Sequence, residues 1–153
     1  MIVITDEQIK QRWYDNLTNE YDLQAIVLAQ YWANGPNTPE YDDAQSEFDD
    51  ENWLVLTDEE ADEAVREEIE EMVWAFTPSF LQAHTGVNAD AIAKIQEMCE
   101  NANDPLKAMI KDFDHFVEDA MKCDGRGHFL AGYDHEENCI TFNGITYYIY
   151  RRN

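Results

Sequence analysis

Asn138-Cys139-Ile140-Thr141-Phe142-Asn143-Gly144-Ile145-Thr146-Tyr147-Tyr148-Ile149-Tyr150 is the stretch that decides the fold class of this chain. Asn-Gly accepts the positive φ values of a type I′ turn, and both arms are rich in β-branched and aromatic residues. Residues 138–150 therefore predict a β-hairpin. A lone hairpin is marginal in water, so it must pack on helices or pair with another strand. Trp53-Leu54-Val55-Leu56 is the best candidate for that strand. The rest of the chain reads as helix, which makes the fold α+β. The expectation is a mostly helical single domain, 1–153, with a C-terminal β-hairpin and a small sheet completed by strand 53–56.

Working outward, Thr57-Asp58-Glu59-Glu60 fits a capping box, with Thr57 at the N-cap and Glu60 reaching back. The helix that follows carries Ala61, Val65, Ile69, Met72, Val73 and Phe76 on one face, and Thr77-Pro78 ends or bends it. Ser79 to His84 adds a further turn before Gly86. Asn88 caps a helix with Ile92, Ile95 and Met98 inward. Asp104-Pro105 opens a longer helix whose stripe is Leu106, Met109, Ile110, Phe113, Phe116, Val117 and Ala120, closed by Cys123-Asp124-Gly125. Residues 124–137 read as a Gly-rich loop. Upstream, residues 6–17 and 20–33 read as two helices, the second stopped by Asn34-Gly35-Pro36. Residues 37–52 read as an acidic loop whose aromatics, Tyr41 and Phe48 with Trp53 just after it, serve either as docking anchors or as tethers to the core; Trp53 reads as a tether and Tyr41 as the exposed one.

The chain has 33 acidic and 10 basic residues, a formal net charge of −23. Such a field repels phosphates, which excludes direct binding to nucleic acid or to an anionic membrane. The excess is local: 16 of the acids and one base, Arg66, fall within residues 40–71, a net −15. Glu59, Glu63, Glu67 and Glu71 stand at successive i, i+4 positions, where like charges repel by roughly 0.2–0.5 kcal/mol per pair. Selection for stability alone would alternate signs, and solubility needs a net charge of only about 2–8.

Carboxylates one helical turn apart imitate the charge row of a nucleic-acid backbone. This reading makes Glu59, Glu63, Glu67 and Glu71, extended by Asp42, Asp43, Glu47, Asp49, Asp50 and Glu51, a surface for a basic nucleic-acid-binding protein. A homodimer would lengthen the charged rod. The alternatives are a solvated face that serves solubility and a halophilic surface, which clustering disfavours.

Chemistry has fewer footholds. Cys123, His128, His135 and Cys139 can be drawn as a Cys2His2 site, but the spacings lack the tight knuckle of structural zinc. Cys139 reads instead as a small core residue, and neither metal nor cofactor is expected. No nucleophile elbow, phosphate loop, HExxH or dinucleotide fingerprint occurs. Arg126, His128, Tyr133, Asp134 and His135 form the most site-like stretch, an alternative acid–base or nucleotide site. The competing role is structural, with Arg126 on an acid and His128 and Tyr133 fixing the loop against the hairpin. Three widely spaced cysteines, no secretory leader and no apolar run near the roughly 20 residues of a membrane span point to the cytosol.

Residues 53–63 (Trp-Leu-Val-Leu-Thr-Asp-Glu-Glu-Ala-Asp-Glu) and 124–134 (Asp-Gly-Arg-Gly-His-Phe-Leu-Ala-Gly-Tyr-Asp) carry a further signal. With Val73-Trp74-Ala75-Phe76, residues 80–86 and Tyr147-Tyr148-Ile149-Tyr150-Arg151, they resemble a family of small acidic proteins of tailed bacteriophages and mobile elements, over about residues 50–153. The resemblance implies a genetic context in which acidic proteins disarm host defence, restriction or CRISPR complexes, by imitating DNA, as ArdA-type antirestriction proteins do. That comparison is one of charge and context, and it transfers no catalytic residue. An acidic adaptor or structural phage protein is the other non-enzymatic expectation.

Overall fold

The computed structural model describes residues 52–153 together with Gln24, Val27, Leu28 and Tyr31, which are helical. The predicted helix 6–17, the remainder of 20–33 with its Asn34-Gly35-Pro36 stop, and loop residues 37–51 lie outside the described residues. In chain order the elements are β1 (Trp53–Thr57), α1 (Asp58–Glu71), a 3-10 turn (Val73–Ala75), α2 (Pro78–Thr85) and α3 (Ala89–Gln96). A second 3-10 turn (Cys99–Ala102), α4 (Asn103–Met109), α5 (Phe113–Asp124), α6 (Arg126–Leu130), β2 (Asn138–Phe142) and β3 (Ile145–Arg151) follow. The class is α+β. Two compact units divide the chain, one formed by residues up to Ala61 with Leu130–Asn153, the other by Asp62–Phe129.

The first unit holds an antiparallel sheet of order β1-β3-β2. Asn143 and Gly144 have φ of 50° and 78°, the positive pair that turns β2 into β3. Strand β1 pairs along the far edge of β3, with Val55 opposite Ile149 and Trp53 opposite Arg151. Val55, Phe142, Tyr147, Ile149 and Tyr150 are buried, as are Val27 and Leu28 from the preceding helical segment. Gln24 fastens that segment by donating from Nε2 to the Val55 carbonyl at 3.1 Å. Buried Tyr150 satisfies its hydroxyl on Glu137 at 2.6 Å. Cys139 is exposed, contrary to the core position expected for it. It sits on β2, which among the described residues pairs with β3 alone, at a position whose side chain points away from the buried face.

The capping box forms as expected: Thr57 N–H donates to Glu60 Oε1 at 3.0 Å and Glu60 N–H to Thr57 Oγ1 at 3.3 Å.

The second unit is helical, with Val65, Ile69, Val73, Leu81, Ile92, Leu106, Phe116 and Ala120 completely buried. Thr77 caps α2, with Pro78 in its first turn, and Gly86 closes that helix in the left-handed region at φ 75°. Asn88 caps α3 by accepting from Asp90 N–H. Three expectations are corrected. The single long helix after Asp104 is two helices, because Ile110 turns extended and Asp112 starts α5 by accepting from His115 N–H. Met98 is 48% exposed instead of inward, since α3 ends at Gln96. The loop expected at 124–137 opens with helix α6.

Candidate functional site

Helix α1 separates its two faces cleanly. Ala61, Val65 and Ile69 are completely buried, whereas Glu59, Glu63, Glu67 and Glu71 are all exposed. Among the described residues none of these four glutamates has a cationic partner. Their neighbours do. Arg126 donates to Asp62 at 3.0 Å, and Glu70 lies 3.5 Å from both Arg66 and Lys107. Arg66, the one base of residues 40–71, also bonds Asp114 and lies over the Phe113 ring at 5.0 Å. Arg66, Lys107 and Arg126 are thus engaged on the flanks of the acidic row. No basic residue occupies the last turn of α1 either, where the helix dipole would favour one.

Beyond Glu71 the acidic character continues into a recess of about 600 Å³ lined by Glu68, Glu71, Trp74, Glu100 and Asp104, with Met72, Asn101 and Asn103. Asn103 builds this region. Its side-chain amide donates to the Glu70 carbonyl at 2.8 Å and its Oδ1 accepts from Trp74 N–H at 3.2 Å. The bend between α1 and the next turn therefore has its backbone groups satisfied by one side chain. Gln96 holds the other side of the bend, donating to the carbonyls of Trp74 and Phe76 at 2.9 and 2.6 Å. The remaining acids of the predicted row, Asp42, Asp43, Glu47, Asp49, Asp50 and Glu51, lie outside the described residues.

The alternative constellation divides between the units, Arg126 and His128 in the helical one and Tyr133, Asp134 and His135 in the other. Each has local work. Arg126 is 13% exposed in its side chain and bound to Asp62. His128 meets the edge of Phe129 at 5.0 Å. Tyr133 carries the Arg151 guanidinium 3.8 Å from its ring centre, and Arg151 also covers Trp53. Asp134 accepts from Glu136 N–H, a local turn bond. His135 takes φ 58° and donates its backbone N–H to Ala131. Burial, then the charges of Asp134 and Glu136, push the phenol of Tyr31 above its ordinary pKa.

Two features escaped the sequence reading. His84 is buried and bonded to Asp119 at 2.7 Å, with Phe80, Phe116 and His115 around its ring. A pocket of about 290 Å³ is lined by Met72, Ala75, Phe76, Thr77, Phe80, Cys123, Asp124, His128 and Phe129. Phe76 and Phe80 are four positions apart, but Phe129 joins them from a distant helix, so no spacing in the sequence groups all three. Among the described residues no three His, Cys, Asp or Glu side chains gather to hold a metal, and no helix is long and apolar enough to cross a membrane. Comparison with protein-family models, curated proteins and solved structures finds no match to this chain.

Proposed function

We propose that this protein is a nucleic-acid mimic, of phage or mobile-element type, that occupies the DNA- or RNA-binding surface of a basic host defence protein in the cytosol. The observation that carries the reading is the row Glu59, Glu63, Glu67 and Glu71, exposed and without cationic partners among the described residues while Asp62 and Glu70 beside it are paired. Successive members rise about 6 Å along the helix, a spacing of the order found between phosphates of one strand. A row that is costly to the helix and left unneutralised is a surface kept ready for a cation-rich partner. The recess lined by Glu68, Glu71, Glu100 and Asp104 adds to the same field.

Binding of this kind gains from counterion release and falls steeply with salt. The test is competition. A captured host protein should release duplex DNA as this protein is added at low salt, and its complex with this protein should in turn dissociate as salt is raised. A partner that binds this protein and DNA at once, without competition, would overturn the reading.

A further inference from the structure

The geometry points to the pocket between Phe76, Phe80 and Phe129 as a receptor for one arginine side chain of the basic partner. At about 290 Å³ it lies at the small end of ligand pockets, suited to a single long side chain. Phe76 and Phe80 stack at 5.3 Å and Phe129 lies 6.3 Å from Phe76, so the walls are phenyl surface, whose negative faces attract cations. Met72 supplies apolar surface for the methylene stem.

The rim chooses the sign of the head group. Among the described residues Asp124 is the one carboxylate in the lining, His128 is its only imidazole, and no lysine or arginine lines it. Helix α5 ends at Asp124 and α1 ends one residue before Met72, so two negative helix ends converge on the pocket. Two positive ends also reach it, that of α2 at Thr77, whose hydroxyl already accepts Phe80 N–H, and that of the short α6, which starts at Arg126, so the Asp124 carboxylate decides the sign. An anion would be repelled, and a purely apolar ligand would make no use of Asp124. A guanidinium stacks on phenyl rings and bonds a carboxylate with the same planar group. The identity of the occupant rests on the proposed basic partner; the preference for a cation rests on the pocket alone.

Cys123 on the rim is a free, exposed thiol and reports occupancy, while exposed Cys99 and Cys139 serve as internal controls. The experiment alkylates the whole protein with N-ethylmaleimide in the presence of N-acetyl-arginine methylamide, reading each cysteine by peptide mass spectrometry. Arginine at twice its Kd should slow Cys123 roughly threefold by mass action and leave Cys99 and Cys139 unchanged. The neutral isostere, the citrulline methylamide, should protect far less, and Asp124→Asn should remove the arginine effect. The charge-reversed variant Glu63→Lys/Glu67→Lys should keep it, which separates this site from the acidic row. Equal slowing of all three cysteines, equal protection by citrulline, or full protection in Asp124→Asn would each overturn the assignment. Inhibition undiminished in the folded charge-reversed variant would overturn the acidic row and, with arginine protection intact, leave the pocket standing.

Discussion

Asn103 shows how much one polar side chain can hold. It satisfies the Glu70 carbonyl and the Trp74 amide together, at a bend where α1 gives way to a 3-10 turn. Asn103→Ala leaves both half-buried groups without partners and should destabilise the helical unit by about 1–3 kcal/mol, measured by denaturant unfolding. Tyr31 makes a prediction in pH. Its folded pKa is raised, so the folded state holds the proton more tightly than the unfolded chain, and the resulting stability is complete below the ordinary phenol value. Stability should therefore decline as pH rises from about 10 through the higher folded value, and Tyr31→Phe should remove that part of the decline in alkaline unfolding curves. At this scale the caps Thr57 and Asn88 were legible, since each stands just before a periodic run. Asp112 was not, because Phe113, Phe116 and Val117 continue the stripe of Leu106 and Met109 and conceal the break.

Among the elements, α1 is the one whose composition works against its own stability. Three successive like-charged pairs along Glu59, Glu63, Glu67 and Glu71 cost the helix roughly 1 kcal/mol in total. Glu63→Gln/Glu67→Gln should then raise the melting temperature by a few degrees, whereas a row selected for folding would lose stability on the same change. The hairpin was readable because its information is local: Asn143 and Gly144 set the turn and alternation sets the faces. The pairing of β1 with β3 followed from the hairpin's need for a third strand. The apolar stripe of α1 was readable as well, Ala61, Val65 and Ile69 being buried as the period required. The aromatic pocket was not, since Phe129 meets Phe76 and Phe80 only after segments about fifty residues apart have packed.

For the whole molecule, the net charge of −23 sets a field that repels phosphates, and the proposed complement is a basic protein. The structure adds which carboxylates are available. Arg66, Lys107 and Arg126 neutralise Glu70 and Asp62 and leave Glu59, Glu63, Glu67 and Glu71 exposed. Arg66–Glu70 is an i, i+4 pair, but Lys107–Glu70 and Arg126–Asp62 join residues tens of positions apart, which is why composition alone located the charge and did not sort it. The most direct measurement is inhibition of the basic target's DNA binding by Glu63→Lys/Glu67→Lys, with the fold verified by circular dichroism. The account predicts that the folded variant loses inhibition and that the wild type's affinity falls steeply with salt. Inhibition undiminished in the folded variant would contradict it.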